Sequence, residues 1–320
     1  MSTLPQPSRG ALGAAVGVMC VVWGSTWYVV REGLVGLPPL GAAGLRFLIA
    51  WGAMWALAPR IARREGGAPP SWSLIASMGV LNFGLTYGLV YWAEVYLPSA
   101  LAAVLWAIYP LIMAVASHVY VPGERMQAAQ FGGLVLGLGG VACLFATDLA
   151  ALELASSAAV GGRFGGAPAA PALGMMGVAA VFLLAPLVSA IGTAHVKVHG
   201  AGTSSALLNR DGMLLGAVLL LGASLLFERG ATWTFTGRGL MCLGYLSLVG
   251  TVLTFTLYFW ALRHARATQL ALISYVTPAI AVMIGVTVGD EPVTYWTGVG
   301  LLGILAGVAV SMGIARRRLR

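Results

Sequence analysis

Aromatic, amide and hydroxyl side chains recur inside the most apolar stretches of this chain. Trp23 lies in "VVWGSTWYVV", Asn82 and Tyr87 in "LNFGLTYGLV", and Trp106 and Tyr109 in "LWAIYPLIM". Ser189 lies in "LLAPLVSAIGT", Tyr245 in "LGYLSLVGTVL" and Tyr275 in "LISYVTPAI". Such groups make and release noncovalent contacts: rings enclose an apolar body, and a few polar atoms fix its orientation. They do not make a reactive constellation. His118, His195, His199 and His264 are scattered and mostly near segment ends, without a metal-ligand spacing such as HExxH. Cys20, Cys143 and Cys242 sit at no ligand-like spacing, and there is no Walker A motif. The expectation is a protein that binds a solute: no enzyme, no catalytic residue, no metal, no cofactor and no ATPase subunit.

Three prolines interrupt the same stretches. A mid-helix proline removes a hydrogen bond and bends the helix, at about 3 kcal/mol. Pro110 cannot donate to the carbonyl of Trp106, Pro186 to that of Phe182, or Pro278 to that of Ser274. In lipid a freed carbonyl is tolerated where it meets protein or a water-filled cavity. The prolines read either as conformational hinges beside a cavity or as devices that shape helix packing.

The elements that must position these groups are apolar runs of about 20 residues, the length of a bilayer-crossing helix. They fall at 11–30, 39–58, 72–93, 98–121, 127–147, 173–195, 203–226, 238–262, 266–288 and 293–314. Of 320 residues, 59% are hydrophobic and 9% are charged, with a mean hydropathy of +0.89. A soluble domain carries about 25% charged residues, so this chain cannot clothe a water-facing surface. The fold class expected is an all-α integral membrane protein with ten transmembrane helices. Both ends then share one face, which gathers Arg60, Arg63, Arg64, Arg125, Lys197, Arg263, Arg266 and the "RRR" at 316–318. The other face holds Arg31, Arg163, Arg229 and Arg238. Basic residues stay cytoplasmic, so both termini are expected there. The net charge of +8 is thus a topology signal and not a nucleic-acid footprint.

The chain repeats itself. "YWAEVYLPSALAAVLWAIYPLIMAV" from Tyr91 aligns with "FWALRHARATQLALISYVTPAIAVM" from Phe259, pairing Trp92 with Trp260 and Pro110 with Pro278. Further on, Glu124 pairs with Glu291 and Gly140 with Gly307. Each half has five spans, an odd number, so the second half enters the membrane from the opposite side. Inverted repeats of this kind are typical of secondary transporters with a site near the midplane. The organisation expected is a tail over 1–10, a five-helix repeat over 11–147, a Gly/Ala/Pro-rich flexible linker over 148–172, a second repeat over 173–314 and a basic tail over 315–320.

With "GLRFLIAWG" in span two, the proline of span four and "GER" before span five, the chain resembles the drug/metabolite transporter superfamily, in its ten-span EamA-type branch. "VVWGSTWYVVREGL" and "YWAEVYLPSALAAVLWAIYP" look most like the bacterial aromatic amino-acid exporters. The resemblance implies a basket of helices, with spans 1, 3, 4, 6, 8 and 9 around a central cavity, and export across the bacterial inner membrane. Asp290 and Pro292 depart from the "GER" pattern in the second half.

The substrate-binding set expected is Trp23, Asn82, Tyr87, Trp106, Tyr109, Ser189, Tyr245 and Tyr275, with Pro110, Pro186 and Pro278 as hinges. Arg46 and Arg210 lie about two turns from helix ends, where a long side chain can snorkel to the headgroups. An intramembrane charge is otherwise a functional group. Glu124 and Glu291 read as caps on spans five and ten. Gly133 with Gly137 and Gly303 with Gly307 fit small-xxx-small packing, within a monomer or across a weak dimer. Glu32, Glu94, Glu124, Asp211, Asp290 and Glu291 all lie near span ends. With no mid-span acid, facilitated diffusion of an aromatic amino acid is the simpler expectation. The alternative is a proton-coupled exporter of drugs or other metabolites. The partners expected are the small-molecule substrate and the lipid bilayer, without nucleic acid.

Overall fold

The structure is a computed structural model, and it describes residues 8–97, 99–144, 174–288 and 295–317. The expected linker at 148–172, Asp290, Glu291 and Pro292 lie outside the described residues. What is described is helical almost throughout. The helices are α1 (Arg9–Gly33), α2 (Pro39–Glu65), α3 (Trp72–Glu94), α4 (Ser99–Trp106 and Tyr109–Tyr120) and α5 (Ala128–Leu144). They continue with α6 (Gly174–Phe182 and Leu184–His199), α7 (Ser205–Phe227), α8 (Gly237–His264), α9 (Ala267–Ala271 and Ile273–Val288) and α10 (Tyr295–Arg317). Seven of them, α1 to α4 and α6 to α8, are long and apolar enough to cross a membrane. Shorter apolar helices cover Ala128–Cys143, Ala267–Ile280 and Tyr295–Ser311.

Short hydroxyl side chains start the helices. The side chains of Ser8, Ser71, Ser204 and Thr236 accept from the amides of Ala11, Leu74, Leu207 and Gly239 at 3.0–3.4 Å. Each satisfies one of the amides that a helix start leaves free. Helix α2 begins on Pro39, whose fixed φ suits a first turn. It runs past Pro59 to Glu65, beyond the expected end at 58, because its last turns, "RIARRE", continue the helix outside the apolar run.

Two features were not legible in hydropathy. Helices α3 and α8 each contain a π-helical segment, Ser77–Leu85 and Leu248–Leu253. The register that pairs Trp92 with Trp260 carries Leu85 onto Leu253, so both segments end at matched positions. At each, a threonine hydroxyl donates to the carbonyl five residues back: Thr86, just past the first segment, to Leu81 and Thr251, inside the second, to Leu246, both at 2.7 Å. Helix breaks directly precede two of the three prolines. Pro110 and Pro186 stand in the first turn after a break, and Pro278 stands inside its piece, six residues past the break at Leu272.

Helices α2 and α7 pack antiparallel, and each ends in a carboxylate that caps the other. Glu65 accepts from Ser204, Ser205 and the Ala206 amide, while Glu228 accepts from the Leu40 and Gly41 amides at 2.8 and 3.0 Å. Helices α5 and α10 also pack antiparallel, backbone to backbone. A Cβ at Gly140 would meet the Ile304 amide at 2.5 Å, and one at Gly303 would meet Gly140 Cα at 2.9 Å. The glycine motifs therefore join helices within one chain. Glu124 does not cap its own span: it accepts from the Ala267 amide at 3.1 Å and so caps α9. It sits in the tight turn after α4, where it reaches across to the other repeat.

Candidate functional site

A cavity of about 120 Å³ opens among α1, α2, α3, α4, α6, α8 and α9. The π segment of α3 and the residues after it present Asn82, Thr86, Tyr87, Val90, Tyr91 and Glu94 to it. From α1 come Trp23 and Trp27, which share a face at i and i+4. Helix α9 contributes Leu270, Ile273, Ser274 and Thr277, a stripe at helical spacing. Helices α4, α6 and α8 add Trp106 and Tyr109, Ser189 and Thr193, and Phe255, Tyr258 and Phe259.

The rings are packed against one another. Trp106 stacks on Tyr109 with centroids 5.7 Å apart and planes 10° apart, and Trp27 meets the edge of Trp106 at 6.2 Å. Trp23 contacts Phe255 and Tyr258 at 5.6 and 5.5 Å. A polar chain crosses this wall. Asn82 Oδ1 accepts from Thr193 at 3.2 Å and from Ser189 at 3.4 Å, Tyr109 donates to Thr193 at 3.5 Å, and the hydroxyls of Tyr109 and Tyr258 lie 3.3 Å apart.

Arg46 overturns its reading as a headgroup anchor. It is 1% exposed and faces the cavity. Its Nε donates to Thr251 Oγ1 at 2.7 Å, Nη2 to the Gly250 carbonyl at 3.0 Å and Nη1 to the Tyr91 hydroxyl at 3.3 Å. The guanidinium also lies 4.9 Å over the Tyr87 ring. The reason is rotational: Arg46, Phe47, Ala50 and Met54 form the buried stripe of α2, which points away from lipid. Hydrogen bonds to Thr251, Gly250 and Tyr91 use three of the five guanidinium N–H groups of this cavity-lining side chain. Arg210 is different. It pairs with Asp211 at 2.6 Å and is about a quarter exposed.

Glu94 ends α3, as its place near a span end predicts. Yet it is 2% exposed, it lines the cavity, and neither carboxylate oxygen has a hydrogen-bond partner among the described residues. The following residues Val95, Tyr96 and Leu97 are themselves buried, so this helix end is covered by protein. Trp23 Nε1 is likewise buried without a partner among the described residues. The cavity thus presents an unfilled donor, two unfilled acceptors and a guanidinium.

Of the expected binding residues, Trp23, Asn82, Tyr87, Trp106, Tyr109 and Ser189 line the cavity. Tyr245 and Tyr275 do not. The Tyr245 hydroxyl sits 2.7 Å from Ser25 Oγ, and Tyr275 donates to the Leu134 carbonyl of α5 at 2.7 Å in a second apolar cluster. Arg46 and Glu94 line the cavity although they stand outside the expected binding set, and Thr251 holds Arg46 from behind the wall. The signal available for Arg46 was a charge inside an apolar run, which is a functional hypothesis by default.

Residues 9–146 and 175–313 match the EamA-like transporter family. An "Uncharacterized inner membrane transporter YedA" of Escherichia coli strain K12 is 28% identical over 96% of this chain and 91% of its own length. An "Uncharacterized transporter YvbV" of Bacillus subtilis strain 168 is 26% identical over 97% and 93%. A "Probable amino-acid metabolite efflux pump" of Salmonella typhimurium strain LT2 is 26% identical over 92% of each chain. A solved crystal structure superposes with a TM-score of 0.73 at 18% identity, over 97% of this chain and 99% of that one, which establishes the fold. Two family matches, one in each half, and seven membrane-length helices make this a multi-pass membrane transporter: the chain belongs to the EamA-like transporter family.

Proposed function

We propose that this protein exports aromatic amino acids, or closely related amphipathic zwitterions, across the bacterial inner membrane. The single observation that carries the reading is Arg46, a buried guanidinium at the wall of an aromatic cavity. A planar fork of N–H donors matches a carboxylate, and the Trp23, Trp27, Trp106 and Tyr109 rings match an aromatic side chain. The network around Asn82 and Ser189 orients the polar end. A cavity of about 150 Å³ accepts one benzene ring, so 120 Å³ is the scale of a single ring. A whole amino acid enters when the helices part, with Pro110, Pro186 and Pro278 as the hinges.

The architecture proposed is ten spans in two inverted five-helix repeats, forming a basket with both termini cytoplasmic. Antiparallel pairing of α2 with α7 and of α5 with α10, and the matched π segments, support it. Single cysteines near Arg64 and near Gly165 should label from opposite faces of the membrane; labelling from one face overturns the inversion.

The functional test is counterflow in liposomes with a panel of solutes. Labelled tryptophan and phenylalanine should exchange, alanine should compete poorly, and tryptamine, which lacks the carboxylate, should be a weak ligand. Equal competition by alanine overturns the aromatic assignment. Equal competition by tryptamine overturns the role of Arg46.

A further inference from the structure

Glu94 is the group in the cavity wall that the proposed function leaves without a task. It is 2% exposed, and both oxygens are buried without a hydrogen bond among the described residues. Two cations stand near enough to influence its charge, Arg46 on α2 and Arg31 on α1. Arg46 directs its donors to Thr251, Tyr91 and Gly250, and neither arginine forms an ion pair with Glu94. Tyr91, one turn back on α3, is the other titratable neighbour. The pieces of α4 and α6 packed near this end of α3, Ser99–Trp106 and Gly174–Phe182, contain no titratable residue. The second piece of α6 carries His195, Lys197 and His199 at the opposite end, where His195 meets Ser73 at the start of α3.

A buried carboxyl without donors is stable in two conditions only: protonated, or paired with a cation that enters the site. An aromatic amino acid brings such a cation in its ammonium group. We propose that Glu94 holds either a proton or the substrate ammonium, never both, and that this exclusion makes export an exchange for protons. The inference rests on the proposed function and adds the driving force to it.

The exchange balances as follows. Facing the cytoplasm, the Glu94 carboxyl releases its proton to water, and the carboxylate takes the ammonium of the zwitterion while Arg46 takes its carboxylate. Facing outward, the substrate leaves and a proton from the external water adds to the carboxylate. No covalent bond of the substrate changes. One proton enters for each zwitterion exported, so one positive charge moves inward per cycle. Uncoupled diffusion is expected where no acid lies mid-span; Glu94 does end its helix, yet it lines the cavity.

The experiment uses the full chain in liposomes with a trapped pH-sensitive dye and labelled tryptophan. In wild type, tryptophan movement should carry one proton the opposite way, and a membrane potential set with potassium and valinomycin should drive accumulation. Glu94→Gln should abolish both while tryptophan-for-tryptophan exchange persists, with KM raised about tenfold or more. Glu94→Asp should restore proton movement. Wild-type tryptophan flux without protons, or proton movement unchanged in Glu94→Gln, overturns the inference and leaves the substrate assignment standing. Absence of any wild-type tryptophan flux fails the substrate assignment instead. In that case infrared difference spectra of the purified protein decide on Glu94. A protonated-carboxyl band that titrates in wild type and is missing in Glu94→Gln supports the exchange site, and no titrating band overturns it.

Discussion

Arg46 Nε donates to Thr251 Oγ1 at 2.7 Å, and Thr251 Oγ1 itself donates to the carbonyl of Leu246, five residues back. A guanidinium from the first half of the chain is thereby tied to the π segment of the second. Neither partner alone explains why Arg46 tolerates burial: the π turn supplies the hydroxyl and the Gly250 carbonyl supplies a second acceptor. Thr251→Val removes the hydroxyl at nearly constant volume. Counterflow should show KM for tryptophan raised about tenfold, equivalent to about 1.4 kcal/mol, and KM for a substrate without a carboxylate unchanged. An equal rise for both would mean that Thr251 acts on the helix and not on Arg46.

Arg46→Lys keeps the charge but loses the fork of donors. One ammonium cannot serve Thr251, Gly250, Tyr91 and a substrate carboxylate together. Tryptophan KM should rise by at least about tenfold with the protein still folded, as judged by gel filtration in detergent. Wild-type affinity in this variant would detach Arg46 from the substrate.

Tyr275 and Tyr109 make a contrast between packing and binding. Tyr275→Phe loses a hydrogen bond to Leu134 outside the cavity, about 1 kcal/mol. It should lower the thermal midpoint and leave KM alone. Tyr109→Phe breaks the chain to Thr193 and Tyr258 inside the cavity and should change KM. If the two variants gave the same pattern, the cavity would not be the binding site.

Gly139 and Gly140 are neighbours with opposite surroundings. A Cβ at Gly139 meets nothing within 4 Å, whereas one at Gly140 strikes the backbone of α10. Gly140→Leu should separate α5 from α10 at a cost of about 1–3 kcal/mol or more and reduce folded yield. Gly139→Leu should be nearly silent. Fluorescence-detected gel filtration of the two variants compares them directly.

Much of the site could be read from spacing. Trp23 with Trp27, and Trp106 with Tyr109 beside a proline, line the cavity because deep rings and a helix break both need a protein-facing position. Tyr275 lies one residue off the cavity wall: the lining stripe is Leu270, Ile273, Ser274 and Thr277, and the neighbour of Ser274 lies about 100° away around the helix. Tyr245 lies 13 residues before Tyr258, about 220° around an α-helix, and its hydroxyl meets Ser25 Oγ instead of the cavity. Arg46 and Glu94 were misjudged by distance from a helix end. That measure ignores which face is turned inward, and a helix end capped by buried residues offers no route to the headgroups.

The reciprocal capping of α2 and α7 has a consequence for biosynthesis. Glu65 is translated well before the Ser204–Ala206 site it satisfies, and the Leu40 and Gly41 amides wait longer still for Glu228. The first half therefore leaves the ribosome with a bare helix start and an unspent carboxylate at opposite ends of α2, and both needs are met by the one helix α7. Severed between the halves, the two fragments should each be unstable when expressed singly and should recover when produced in the same cell, because each carries the missing cap of the other.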